Sequence, residues 1–167
     1  VSFKPDWEKD ILFRLSAGMY YQPPFYRELK NLDGRINDDQ KAQSSFHFVA
    51  ASDWNFQAWG RPFKFVTEVY YKYLGSLVPY LIDNVRIRYY SFQQSTGYAA
   101  GIDMKVSGVF VRGIEAWASI SVMGTQEDIA GDFYFDDEGN RVEPGYIPRP
   151  TDQRVNFSLF FQDYLPR

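Results

Sequence analysis

Six stretches of this chain alternate with a period of two residues, and in each of them one face is free of charge. From Ile11 the odd positions read Ile11, Phe13, Leu15, Ala17, Met19 and Tyr21, against Arg14, Ser16 and Gly18. Phe48, Ala50, Ser52, Trp54 and Phe56 stand against His47, Asp53, Asn55 and Gln57. Phe63, Phe65, Thr67, Val69, Tyr71 and Tyr73 oppose Lys64, Glu68 and Lys72; Ala100, Ile102, Met104, Val106, Gly108 and Phe110 oppose Asp103, Lys105 and Ser107. Ile114, Ala116, Ala118, Ile120 and Val122 oppose Glu115, Ser119 and Ser121, and Val155, Phe157, Leu159 and Phe161 oppose Asn156, Ser158 and Gln162. Successive side chains of a strand point to opposite faces, so this pattern builds a sheet that meets something apolar on one side and water on the other. Charged residues make up 23% of the chain, and none falls on the apolar set.

Strands are expected over 1–5, 10–22, 46–59, 63–74, 98–110, 114–123 and 154–165. Helical readings fail: 11–22 and 100–110 lack an i, i+3, i+4, i+7 stripe, and their Gly, Val and Tyr are poor helix formers. One short helical turn is expected at Phe25–Leu29, after Pro23 and Pro24.

The connections alternate short and long. The short ones fall at 6–9, 60–62 and 111–113, the long ones at about 22–45, 75–97 and 124–153. A compact soluble domain seldom holds one structureless loop of that length. In an antiparallel meander, every second connection lies on the same end. Short turns at one end, long loops at the other, and strands apolar outside and polar inside are the pattern of transmembrane β-barrels. The expected strands also suit a tilted bilayer crossing of about 9–11 residues better than the soluble average of about 5–6. The fold class is therefore all-β: antiparallel up-and-down strands forming part of a transmembrane barrel. Tyr20, Tyr21, Phe25 and Tyr26 at one rim, and Trp59, Phe63, Phe110 and Tyr164 at the other, are expected to form its aromatic girdles. On that reading Phe13, Leu15, Phe65, Val69, Ile102, Val106, Ile120, Phe157 and Leu159 face lipid. Arg14, Asp53, Lys64, Glu68, Lys72, Asp103, Lys105 and Glu115 face the lumen.

Composition narrows the field further. Aromatics reach 19%, which is incompatible with a flexible polar chain. With 18 basic against 21 acidic residues and a net charge of −3, there is no basic excess to meet phosphates of a nucleic acid. No apolar run approaches the ~20 residues of a membrane helix. Cysteine is absent, and His47 is the single histidine, so thiolate chemistry is excluded and a Ser-His-Asp triad or a histidine metal site is disfavoured.

Six strands and a stub do not close a barrel, for which bacterial single chains use even numbers from about 8 upward. An open edge in lipid would leave unpaired N–H and C=O groups at several kcal/mol each. The chain begins at Val1 with no initiator Met or signal pattern, and ends on Leu165, Pro166 and Arg167 rather than on a terminal aromatic. It is expected to be part of a larger barrel.

Several tracts, taken in order, resemble a known family: GRPFKFVTEVYYKYL from Gly60, DNVRIRYY from Asp83, GYAAGIDMK from Gly97 and GYIPRPTDQRVNFSLFFQDYLP from Gly145. They look like the C-terminal barrel region of TonB-dependent outer-membrane receptors, in the form found in Bacteroidetes-type bacteria. The strand expected at 10–22 and the PPFYREL tract that follows it also fit. Two signatures are Tyr98, Gly101, Ile102, Asp103 after a long loop, and Pro148, Arg149, Pro150, Asp152, Gln153, Arg154 before a late strand. The resemblance implies energised nutrient import through a barrel of about 22 strands around an N-terminal plug. Its partners would be the rest of the barrel and the plug, the inner-membrane TonB energy-coupling complex reached through the plug, outer-membrane lipid and lipopolysaccharide, and in some cases a surface lipoprotein. Neither plug nor coupling motif lies in this chain, so the segment would supply wall and loops.

Candidate binding residues lie in the long loops. Arg86 and Arg88 alternate with Val85, Ile87 and Tyr89, and suit lipopolysaccharide phosphates or an anionic ligand; an extramembrane hairpin with a solvated face is the favoured explanation of the two. Tyr134 is a further candidate. Asp132, Asp136, Asp137 and Glu138 do not match a 12-residue calcium loop and read better as an exposed hairpin, Phe133 to Asn140, with its tip at Gly139 and Asn140. Lys64, Glu68 and Lys72 alternate in sign along one row, as do Asp103 and Lys105, and suggest charge ladders in a wet lumen. A carboxylate pair such as Asp53 and Glu68 has no spacing that favours glycoside hydrolysis. No phosphate loop, nucleophile elbow or zinc spacing occurs. No catalytic residue, metal or cofactor is assigned. Two other classes remain open: a soluble lipocalin-like barrel around an apolar ligand, and a β-sandwich carbohydrate-binding or adhesin module.

Overall fold

The computed structural model describes residues 1–8, 10–111 and 113–163. In chain order its elements are β1 (Ser2–Phe3), β2 (Ile11–Gln22), α1 (Tyr26–Leu29), β3 (Gln43–Ala58), β4 (Arg61–Leu77), β5 (Tyr80–Asp83), β6 (Arg86–Tyr89), β7 (Ser95–Val111), β8 (Ile114–Ile129), β9 (Tyr134–Phe135), β10 (Arg141–Val142), β11 (Ile147–Pro148) and β12 (Val155–Asp163). One antiparallel sheet runs in the order β1-β2-β3-β4-β7-β8, with β11 and β12 both pairing the far edge of β8. The fold is all-β and up-and-down, and the sheet is not closed on itself. Lys9, Arg112, Tyr164, Leu165, Pro166 and Arg167 lie outside the described residues, and with them parts of two short connections and one expected girdle residue.

Register joins the six apolar faces into one. Leu15 opposes Ala50, Ala50 opposes Val69, Val69 opposes Ile102, Ile102 opposes Val122, and Val122 opposes Val155. The neighbouring row runs Phe13, Ser52, Thr67, Met104, Ile120 and Phe157, and the row beyond it Trp54, Phe65, Val106, Ala118 and Leu159. The opposite face carries Arg14, Glu68 and Asp103 in one row and Asp53, Val66 and Lys105 in the next. A slip by one residue at any pair would have mixed the sets.

Among the described residues no second layer packs on the apolar face; only at its long-connection end does the Tyr146 ring meet Tyr98, at 5.5 Å. Leu15 and Val69 are each 52% exposed and Phe157 63%. The buried apolar side chains among the described residues are few: Ala51, Phe63, Leu77, Val78 and Ala116, with Pro5 and Pro79. The chain's surface is 11955 Å², about 3,400 Å² more than a compact monomer of 19.5 kDa exposes. A sheet with no second layer accounts for that excess.

Strand bounds differ from the alternation. β3 starts at Gln43, β4 runs to Leu77, β7 starts at Ser95 and β8 runs to Ile129, so these four are longer than expected. Their outer ends, such as Ser95-Thr96-Gly97 and Gly124 to Asp128, lack an apolar face, and alternation cannot mark a strand that is polar on both sides. β1 is shorter than 1–5, and β12 begins at Val155.

The long connections are not structureless. The first carries α1, the second the β5–β6 hairpin, and the third β9–β10 and β11. They touch one another: the Asn37 side-chain amide donates to the Ser91 carbonyl at 2.5 Å, Tyr80 donates to Thr151 at 3.3 Å, and the Ala130 N–H donates to the Gln94 carbonyl at 2.9 Å. Most of what the chain buries lies beneath or beside them: Glu28, Gln40, Ser91, Ser95, Thr125, Glu127, and Leu77 through Pro79. The small core of this chain thus sits at the long-connection end, and it is largely polar.

Candidate functional site

On the polar face the charges pair across strands. Asp53 on β3 accepts from Arg14 of β2 at 2.7 Å and pairs with Lys64 of β4 at 2.8 Å; Arg14 reaches Glu68 at 3.5 Å. The ladder expected along β4 alone does not form. Residues four apart in a strand stand about 13 Å apart, whereas cross-strand neighbours stand at about 5 Å. Lys72 instead lies over the Tyr70 ring at 5.2 Å, and Lys105 over Trp117 at 4.6 Å. Trp117 in turn stacks on Phe160 at 5.8 Å. Asp103 and Glu115 make no ion pair among the described residues.

Aromatic rings gather at both ends of the apolar face. At the short-turn end Trp54, Phe56, Phe63 and Trp59 form a chain of ring contacts of 4.8–5.7 Å, and Phe110 meets Phe63 edge-on at 5.0 Å. At the other end Tyr21, Phe46, Tyr71, Tyr73 and Tyr98 share that face by register. Tyr20 does not join them. It has the parity of Arg14, so its ring lies on the polar side, 4.5 Å from His47. Phe25 and Tyr26 belong to the first long connection rather than to a strand end.

A cleft of about 280 Å³ opens between α1 and β6. Pro23 and Pro24 end β2 by removing two ladder donors. The Phe25 carbonyl then accepts from the Glu28 and Leu29 N–H groups, while the Phe25 N–H donates to the Glu28 carboxylate at 2.8 Å. The other Glu28 oxygen accepts from Gln43 at 2.9 Å, which ties the turn to the start of β3. Arg27 and Lys30, three residues apart, fall on one side of this turn. Opposite them stands the β5–β6 hairpin, turned at Asn84 in the left-handed region (φ 56°). It presents Arg86, Arg88 and Tyr89 to the cleft, and Tyr26 completes the wall. Tyr80 packs against Tyr89 at 5.8 Å. Burial pushes the Tyr89 phenol upward, and Glu28 adds to the shift.

Arg86, Arg88 and Tyr89 are therefore brought together. Tyr134 is not: it sits in the separate β9–β10 hairpin against Val142. The acidic tip of that hairpin is a self-contained turn. Asp136 accepts from the Asn140 N–H at 2.8 Å and from its side-chain amide, and more weakly from the Glu138 N–H at 3.0 Å, which together hold its carboxyl below the ordinary range. Arg27, Lys30 and Tyr26 escape an alternation-based reading, because they lie outside any strand. Their signal was the Pro-Pro stop followed by a helical i, i+3 pair of cations.

A second structured spot is the tract at Pro148 to Arg154. Arg149 pairs with the buried Glu127 carboxylate at 3.5 Å and lies over Tyr80 at 5.6 Å. Asp152 accepts from the Thr125 N–H at 2.8 Å and pairs with Arg154 at 2.7 Å. The tract binds the third long connection to β8. No family model, curated protein or solved structure matches the chain.

Proposed function

We propose that this chain is a segment of an outer-membrane TonB-dependent receptor for energised nutrient uptake, supplying barrel wall and extracellular loops rather than catalysis. One observation carries the membrane part of this reading: a continuous, charge-free face with no second layer over it among the described residues. On a water-exposed protein, apolar patches rarely exceed a few hundred Å², and lipid is the solvent that would leave such a face uncovered. The two aromatic rows support it. The ten residue steps from Phe63 to Tyr73 cover about 33 Å of strand, and at the usual barrel tilt of about 40° that is close to a 25 Å apolar band. The open edges, β1 with the part of β2 it leaves uncovered on one side and β12 on the other, would pair with strands of the remaining barrel.

The family rests on the ordered tracts, and the partners follow from it: the plug, the energy-coupling complex reached through the plug, lipopolysaccharide, and a surface lipoprotein over the loops. A lipocalin-like barrel would turn the apolar face inward around its ligand, and a sandwich would cover it with a second sheet. Site-by-site labelling by a lipid-phase probe in native membranes tests the reading. Phe65, Ile102 and Phe157 should label, and Lys64 and Asp103 should not. Labelling on neither face, or a monodisperse chain in detergent-free buffer, sinks it. The neighbouring sequence tests the family separately, since absence of a plug-like segment upstream would remove it.

A further inference from the structure

We propose that the cleft between α1 and β6 binds a doubly charged anionic group of the phosphate-ester class. Four cations line it: Arg27, Lys30, Arg86 and Arg88. Only Arg88 has an acidic partner among the described residues, Asp83 at 2.8 Å. Glu28, the other carboxylate nearby, is buried and spends both oxygens on the Phe25 N–H and the Gln43 amide. Counting Asp83 and Glu28 against the four cations leaves two positive charges unbalanced. This excess stands out in a chain whose net charge is −3.

The residue types fit that ligand. Guanidinium groups present paired N–H donors that match two oxygens of a phosphate, and three of the four cations are arginines. The cavity, about 280 Å³, lies at the lower edge of ligand pockets, which suits one small head group. Tyr26 and Tyr89 offer rings and hydroxyls at its rim. The site is also preformed. The Asn37 to Ser91 hydrogen bond joins its two parent connections, and Arg35 lies over Phe92 at 5.0 Å. Two sources share this chemistry, the phosphates of lipopolysaccharide and a soluble phosphorylated solute. The placement of the cleft outside a membrane rests on the proposed function; its charge excess does not.

The test uses the full-length protein that contains this chain, purified in phosphate-free detergent and titrated with inorganic phosphate and, in a second arm, with vesicles carrying lipopolysaccharide. Saturable binding is expected, weakened about tenfold or more by Arg27→Ala and by Arg86→Ala. Arg86→Lys should retain part of it, and Asp83→Asn, which releases Arg88, should tighten it. Binding of inorganic phosphate assigns a soluble source; binding only to vesicles, lost when their lipopolysaccharide is dephosphorylated, assigns the lipid. No saturable binding in either arm, or binding unchanged in Arg27→Ala/Arg86→Ala, overturns the proposal. Lipid-phase labelling of Phe65 and Ile102 in the same preparation reports on the membrane reading independently, so phosphate binding without labelling would leave the site standing and remove the membrane.

Discussion

The Tyr70 ring crosses the strand directly over Gly101: a Cβ at Gly101 would stand 2.6 Å from the Tyr70 hydroxyl and 2.7 Å from the Val122 carbonyl. The two are register partners on β4 and β7, on the polar side. Gly124 on the adjacent strand has open space where a Cβ would go. Gly101→Ala should therefore destabilise by about 1–3 kcal/mol through overpacking. Gly124→Ala should be neutral or slightly stabilising, because it restricts only the unfolded chain. Tyr70→Phe in the Gly101→Ala background should recover part of the loss, since the Val122 contact remains. Denaturant midpoints of the three variants decide the matter, and equal costs at the two glycines would contradict the geometry.

Asp53 joins three strands, pairing with Arg14 at 2.7 Å and Lys64 at 2.8 Å, and its own side chain is mostly covered. Asp53→Asn keeps the shape and removes the charge. We expect it to cost roughly 1–2 kcal/mol, the charge-assisted share of two hydrogen bonds discounted because Arg14 and Lys64 are about half exposed. Glu68→Gln should cost less than about 1 kcal/mol, since its 3.5 Å contact is exposed at both ends. A double-mutant cycle of Asp53→Asn with Lys64→Met should return a coupling, and a cycle of Glu68→Gln with Lys64→Met should return none. A larger coupling at Glu68 than at Asp53 would show that the network is organised along β4 after all.

The sheet could be read from the chain because one face is apolar at every step: Leu15, Ala50, Val69 and Ile102 each sit where alternation puts them, and antiparallel pairing then leaves one register that keeps them together. What alternation missed is local. Ser95 and Glu127 extend their strands beyond the apolar zone, where side-chain polarity no longer distinguishes the faces. Tyr20 looked like a girdle residue by type, but its parity sends it to His47. The cleft was half visible. Arg86 and Arg88 announce themselves as a pair on one strand face, whereas Arg27 lies in a four-residue helix tied to β3 through Glu28, and Lys30 directly follows that helix. Which two connections meet is a property of tertiary contacts such as Asn37 to Ser91, and no pattern within either connection encodes it.

Acid should loosen the third connection before it disturbs the sheet. The Asp152 carboxyl is held below its ordinary value, first by the Thr125 N–H and then by Arg154. A group with a depressed folded pKa stabilises fully above its unfolded pKa, about 3.9, and that stabilisation is lost as pH falls through the lower, folded value. In that window the unfolded segment binds more protons, so stability rises with pH. The protection factor of the Thr125 amide, its exchange rate corrected for the pH dependence of intrinsic exchange, should fall as pH drops below about 4 in the parent protein and show a weaker pH dependence in Asp152→Asn. An identical pH profile in both would remove Asp152 as the source.

Glu127 is 2% exposed, accepts from the Ser95 hydroxyl at 2.9 Å, and has Arg149 as its cationic partner. Removing one member of a buried pair strands the other, which typically costs about 3–5 kcal/mol. Arg149 retains some contact with solvent, so Arg149→Ala should fall at or below the lower end of that range. The loss should be local, because what Arg149 holds is the pairing of β11 with β8 and the Arg149 N–H to Thr125 carbonyl bond of 3.1 Å. Exchange mass spectrometry should then show deprotection of Ile147 to Asp152 with β3 and β4 unchanged. Glu127→Gln combined with Arg149→Met removes both charges and should restore most of the protection, since an amide can still accept from Ser95. If the double variant opens as far as Arg149→Ala, the segment is held by the stacking of Arg149 on Tyr80 and the charge pair contributes nothing to it.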